Sequence, residues 1–129
     1  GISAGAIQAA DCDIELLLLG GRMFTDVPAT YGELTLSEIR RFNTDITFVG
    51  PVAVDGAGAY NFALHEAEIA RAMIERTSRT VMLADASKLG RSSRVCFCEP
   101  DRMSMLVTDS TGNPETLEIF QNSGVDVII

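Results

Sequence analysis

The chain has no tryptophan, one histidine and one lysine in 129 residues, and each scarcity closes off a class of function. Its bases are nine arginines and Lys88, against eighteen carboxylates, for a net charge of −8. A duplex-binding surface needs a basic stripe, so the chain itself is not expected to contact nucleic acid. Cys12, Cys96 and Cys98 are too few for a disulfide framework, and an odd count fits a reducing compartment. With one histidine and no second cysteine pair, the ligand count does not favour a zinc site, and no metal or cofactor is expected. No apolar run approaches the ~20 residues that span a bilayer. No basic start precedes an apolar stretch near Gly1, so no signal peptide is read. These points place the protein in the cytoplasm, away from membranes.

What is present is a compact domain's composition, 47% hydrophobic, at a length suited to one domain over 1–129. Apolar runs and helical patterns alternate. A helix tail is read over 3–10, and a strand over Ile14–Leu19 that is apolar enough to be buried on both faces. Gly20-Gly21-Arg22 ends that strand. A helix follows over Glu33–Phe42, with Leu34, Ile39 and Phe42 near one stripe. The next strand, Ile46–Val49, is stopped by Gly50-Pro51, with Val52-Ala53-Val54 as an extension and a glycine-rich loop at 55–59. The strongest helix is Leu64–Thr77, where Ala67, Ala70, Met73 and Ile74 recur at 3–4 spacing. Strands are expected at 80–84, Arg94–Cys98, Met105–Thr108 and Val125–Ile129. A helix over 114–122 is opened by Pro114 and closed by Ser123-Gly124. Repeated βα units with short connections give an α/β fold with a mostly parallel sheet flanked by helices. Both ends look cut, since Gly1 begins inside a helix and Ile129 stops on an apolar strand.

Chemistry concentrates where strands end. Lys88 lies in Asp85-Ala86-Ser87-Lys88, just past the apolar run 80–84. Ligands of open α/β sheets bind outside the carboxyl ends of strands, and an ammonium there suits a phosphate or carboxylate. Its plain alternative is a solvated loop residue. Gly20-Gly21 follows a buried run and offers backbone donors, although two-glycine turns are common. Asp55 precedes Gly56-Ala57-Gly58 and is placed to hold sugar hydroxyls or simply to start a turn. Glu66 and Glu68 open the strongest helix, where the macrodipole alone favours acids, and about 200° separates them on the helix. His65 is the chain's one histidine and belongs to no catalytic motif. No Gly-x-Ser-x-Gly elbow supports serine chemistry.

Several segments together resemble a known family. These are Leu18-Leu19-Gly20-Gly21-Arg22, Glu66-Ala67-Glu68-Ile69-Ala70-Arg71-Ala72-Met73-Ile74 and Leu83-Ala84-Asp85-Ala86-Ser87-Lys88-Leu89-Gly90. With Leu106-Val107-Thr108-Asp109 and Gly124-Val125-Asp126-Val127-Ile128, they resemble the C-terminal effector-sensing domain of DeoR-type transcriptional repressors. The resemblance implies an isomerase-like fold, akin to ribose-5-phosphate isomerase, that binds a phosphorylated sugar or polyol as inducer. It also implies homo-oligomers and a winged helix-turn-helix upstream, through which alone DNA is bound. Lys88 matches the lysine of the family's Asp-x-Ser-Lys signature, Gly20 and Gly21 its cavity-lining glycines, and Glu68 the glutamate that serves as base in the isomerases. Asp55 is the carboxylate left near the site. Tyr60, Asn61 and His65 are expected as walls.

The departures from the family pattern are informative. Gly50-Pro51-Val52-Ala53 stands where the family has Gly-x-Asp-Gly, so Val52 replaces a carboxylate that isomerase chemistry needs. Gly58-Ala59-Tyr60-Asn61 replaces Gly-Leu-Thr-Thr. The Asp-Ser-Gly-Thr-Thr phosphate loop has no counterpart here, making the fold incomplete at the N-terminus, and weaker effector binding than in a complete domain is expected. The expected activity is therefore sensing without catalysis. A sugar-phosphate isomerase and a purely structural oligomerisation module are the alternatives.

Overall fold

A computed structural model describes residues 6, 10, 13–23 and 30–129. Of the helix expected over 3–10, Ala6 is helical and the Ala10 N–H donates to its carbonyl at 3.0 Å; the rest lies outside the described residues. Cys12 lies outside them too.

Two sheets share one core. The first is four-stranded and wholly parallel: β3 (Thr44–Val49), β6 (Thr77–Leu83), β8 (Met105–Val107) and β9 (Asp126–Ile128), in that order. The second is antiparallel: β4 (Ala53–Asp55), β5 (Gly58–Asn61) and β7 (Val95–Cys98). A two-residue ladder joins β1 (Arg22–Met23) to β2 (Thr30–Tyr31). The helices are α1 (Glu33–Ile39), α2 (Leu64–Glu75) and α3 (Pro114–Asn122). The α/β reading thus holds, with boundaries of the later elements within a few residues of expectation.

Strand alternation explains how the parallel sheet is covered. Thr47, Thr80, Met82 and Leu106 are buried on one face, while Ile46, Phe48, Leu83 and Ile128 are exposed on the other. Met82 and Leu106 meet Ala67, Ala70 and Ile74 of α2 and Leu117 and Phe120 of α3. The small alanines let α2 lie close to the sheet. Its Ala72 turns the other way, into a smaller cluster with Leu36 and Ile39 of α1, and Met73 packs there rather than in the main core. Among the described residues, helices therefore cover one face of this sheet.

Three expectations need correction. Residues 14–20 form no regular structure, and Leu17 and Leu18 are 65% and 67% exposed, so the strand buried on both faces does not form here. An apolar run favours burial, but a strand exists only in a ladder, and nothing described pairs with this one. Leu17–Leu19 instead line an apolar cavity of about 420 Å³ with Ile39, Phe42, Ile69 and Met73. Second, Val52–Val54 does not extend β3. Pro51 has no N–H to continue a ladder, and the chain crosses to the second sheet at Ala53. Third, α1 ends at Ile39 and buries Thr35, Leu36 and Ile39, leaving Leu34 on its exposed side. The antiparallel sheet was also not anticipated by the repeated βα reading.

Candidate functional site

The carboxyl end of β6 runs into a 3-10 turn, Ala86–Lys88, that is fixed from several sides. Asp85 caps it: its Oδ1 accepts from the Ser87 N–H at 2.9 Å and from the Ser87 hydroxyl. Those two bonds, with Lys88 nearby, hold the Asp85 carboxyl below its ordinary range. Asp109, just beyond β8, accepts the Ala86 N–H at 2.8 Å. The Val54 carbonyl of β4 accepts from the N–H groups of Gly90 and Arg91, at 2.7 and 3.2 Å. Gly90 has φ +77°, and a Cβ there would lie 2.1 Å from the Asn113 amide nitrogen. Asn113 is itself occupied as the cap of α3, accepting from the Thr116 N–H. The half-buried Lys88 therefore projects from a loop tied to β4, β8 and the start of α3.

Asp55 and Tyr60 meet across the β4–β5 hairpin. The Asp55 Oδ1 accepts from the Ala57 N–H at 2.9 Å and the Tyr60 hydroxyl at 3.0 Å. The first bond is the ordinary turn chemistry of Asp; the second points a phenol and a carboxylate to one place. Asn61 is buried at the end of β5, opposite Val95. Asp55, Tyr60, Asn61 and Lys88 thus all sit on or beside the three-stranded sheet.

The other sequence candidates lie elsewhere. The Gly20 carbonyl accepts from the Thr35 hydroxyl at 2.7 Å, on the side of α1. Gly21, at φ +147°, has no room for a Cβ against Thr35 and the Tyr31 carbonyl, so its lack of a side chain lets that turn close. Glu68 is exposed and lines a 220 Å³ groove between α1 and α2 with Glu33, Arg40, Arg71 and Glu75. His65 stacks obliquely beside Tyr31, with ring centroids 4.9 Å apart. No described cavity gathers these residues with Lys88.

Sequence reasoning passed over Asp109 and Asn113, whose signal was position: a carboxylate just past an apolar strand, and an Asn before Pro-Glu. It also passed over Arg94, whose guanidinium carbon lies 4.6 Å from the Phe62 ring centroid. Among the described residues, no three His, Cys, Asp or Glu side chains are grouped to hold a metal. No described helix is long and apolar enough to cross a membrane.

Two groups set the alkaline behaviour of this sheet. Burial, then the Asp55 hydrogen bond and charge, push the Tyr60 hydroxyl up to about 12. Burial, then the charge of Glu99, push the Cys98 thiol up to about 12. Both folded-state values exceed those of the free groups, so the folded chain holds these protons more tightly than the unfolded one. Their stabilisation is complete below pH 9 and is lost as pH rises from 9 toward 12. Urea midpoints measured across that window are expected to fall. Tyr60→Phe, which cannot ionise, is expected to flatten the part above pH 10. A Tyr60→Phe slope equal to wild type would show that the phenol does not contribute.

Residues 3–110 match the family described as the DeoR C terminal sensor domain. The chain is 32% identical over 124 residues to the HTH-type transcriptional regulator GlpR of Haloferax volcanii, covering 95% of this chain and 49% of that protein. It is 30% identical over 129 residues to a putative aga operon transcriptional repressor of Escherichia coli O157:H7, covering 98% and 47%. It is 25% identical over 116 residues to the glycerol-3-phosphate regulon repressor of Escherichia coli K12, covering 89% and 46%. The chain spans about half the length of these curated relatives. Since the family match covers most of its residues, the chain belongs to the DeoR C-terminal sensor domain family.

Proposed function

We propose that residues 1–129 form one effector-sensing domain of a DNA-binding transcriptional repressor, with a phosphorylated sugar or polyol as inducer. The observation that carries this reading is Lys88 on a loop locked at the carboxyl end of parallel strands. With the loop backbone already fixed, only the lysine side chain has to be ordered when an anion arrives. Asp55, Tyr60 and Asn61 supply hydroxyl-reading groups on the adjoining sheet. In the same reading Gly20 and Gly21 give backbone donors and Glu68 reads hydroxyls, as contributors outside the Lys88 loop. The relative named for a glycerol-3-phosphate regulon supports a small phosphorylated ligand.

In this reading DNA is bound only by another segment of the full-length protein, and the working form is a cytoplasmic homo-oligomer without membrane contact. Effector binding shifts the repressor between DNA-competent and incompetent states through its differential affinity for the two. No cofactor is required and no turnover is expected. Val52 leaves the site without the carboxylate that an isomerase's paired acid and base need. Ketose–aldose interconversion above buffer by the full-length protein would overturn that point.

Calorimetry of the full-length protein with glycerol 3-phosphate and hexose phosphates tests the Lys88 assignment. Lys88→Ala is expected to cost about 1.5–3 kcal/mol of binding, the range for a hydrogen bond to a charged group, a ten- to hundredfold loss. Unchanged affinity for a ligand that wild type binds would remove Lys88 from the site.

A further inference from the structure

β3 stands at one end of the parallel sheet and pairs with β6 on one side only. The Thr44 N–H donates to the Arg76 carbonyl, at the entry to β6, at 2.9 Å. Backbone groups of successive strand residues turn to alternate sides, so Ile46 and Phe48 face β6 as Thr44 does. Asp45, Thr47 and Val49 therefore aim their N–H and C=O groups at the open side. Among the described residues, no backbone group meets them there. Edge strands are commonly blunted by a proline or a lysine, and Thr44–Val49 has neither. Its open side is a template for another strand.

The apolar cavity of about 420 Å³ adjoins the same strand. Thr44 and Thr47 line it from β3, Leu17, Leu18 and Leu19 from the run 14–19, and Met73 from α2. That run has the composition of a buried strand and yet leaves Leu17 and Leu18 largely exposed. One cavity thus lies between a ladder edge without a partner and an apolar segment without a ladder. A small molecule cannot meet backbone donors and acceptors that recur every second residue. An extended peptide can, pairing its main chain with the edge and placing alternate side chains in the cavity. The geometry favours the same polypeptide as its source. An occupant here lies between two segments of one chain, which a strand of a folded second copy reaches only by leaving its own sheet. A covalently joined strand is present at high effective concentration. The relatives, of whose length this chain spans about half, have polypeptide enough to provide one.

We propose that the free edge of β3 is a strand-addition site, filled by a β-strand of the full-length polypeptide from outside residues 1–129. That strand pairs with Asp45, Thr47 and Val49 and lays apolar side chains against Leu17, Leu18 and Met73. The proposal rests on the reading of this chain as one domain of a longer repressor. It makes the sheet edge a junction between the sensing domain and the rest of that protein.

Amide hydrogen exchange on the full-length protein, without added ligand, tests this residue by residue. Asp45, Thr47 and Val49 are expected to be protected to within about tenfold of Ile46 and Phe48, since both sets then sit in ladders. Faster exchange than that at the three outward residues, with Ile46 and Phe48 still protected, overturns the proposal. The protection is expected to persist when the protein is diluted from oligomer to monomer. Its loss on dilution would identify a second copy as the occupant and overturn the proposal too. Leu18→Ser is a second measurement. Leu18 is 67% exposed in these residues and enclosed once the strand is added, so the full-length urea midpoint is expected to fall as for a core substitution. An unchanged midpoint overturns the enclosure and with it the added strand. None of these readouts involves an effector, so their failure leaves the Lys88 reading to its own calorimetry.

Discussion

Gly58→Val is expected to leave the chain unfolded at neutral pH, and Gly58→Ala to lose about 3 kcal/mol or more, at the upper end of single-substitution effects. Gly58 opens β5 at φ +145°, a conformation that side-chain-bearing residues rarely adopt. A Cβ there would fall 2.2 Å from the Cys98 carbonyl oxygen and 3.1 Å from the Cys96 sulfur. The oxygen is backbone and cannot swing aside as a side-chain end would. Relief therefore requires β5 and β7 to separate, next to the bulge between Ala59 and Tyr60. Ala59 and Cys98, which face one another there, are fully buried, so that separation opens the main core. Urea denaturation measures the loss, and Gly20→Ala is the control. Gly20 has nothing within 4 Å of where a methyl group would sit and no positive φ, so its substitution is expected to stay within about 0.5 kcal/mol of wild type. Comparable midpoints for Gly58→Ala and Gly20→Ala would show that the β5–β7 contact is not tight.

The contrast between those glycines illustrates what the sequence could carry. Both occur in short glycine-rich turns that look alike on paper, and only the partner strand's backbone separates them. Periodicity located the later strands and helices well because their apolar residues meet the same core. It failed at 14–19, where burial depends on what lies alongside and not on the run itself. It also missed that Ala53–Cys98 contains a second, antiparallel sheet, since short strands of three or four residues have no period long enough to read.

The candidate site divides in the same way. Lys88 was legible because it follows a buried strand within a short capped turn, a local arrangement. Asp55–Tyr60 was half legible: the turn role follows from Asp before glycines, whereas the phenol contact depends on hairpin register. The bonds that fix the Lys88 loop were not legible. Asp109 reaches Ala86 over 23 positions, and Val54 reaches Gly90 from the other sheet. Such contacts are set by packing of whole elements and leave only a position, not a pattern, in the chain.

Phe120→Ala is expected to cost about 3–5 kcal/mol, the range for removing a buried phenylalanine and leaving a partly collapsed cavity. Phe120 is fully buried on α3, in one cluster with Met82, Leu106, Leu117 and Val125. Its carbonyl also accepts the Val125 N–H at 3.0 Å, which turns the chain into β9. The neighbouring Ile119 is 43% exposed and lies against the Gly56 turn, so Ile119→Ala is expected to cost less than about 1 kcal/mol. Denaturant midpoints for the two variants, adjacent in sequence and opposite in burial, isolate the core contribution; equal losses would contradict this packing. The core substitution also reaches the site. The N-terminal cap of α3, Asn113, lies against Gly90, so loosening α3 removes one of the supports of the Lys88 loop. Amide exchange at Gly90 and Arg91, whose N–H groups are held by Val54, is expected to quicken in Phe120→Ala and not in Ile119→Ala. That outcome would assign part of the Lys88 loop's stiffness to the aromatic residue that anchors the helix behind it, beside the tethers from Asp85, Asp109 and Val54.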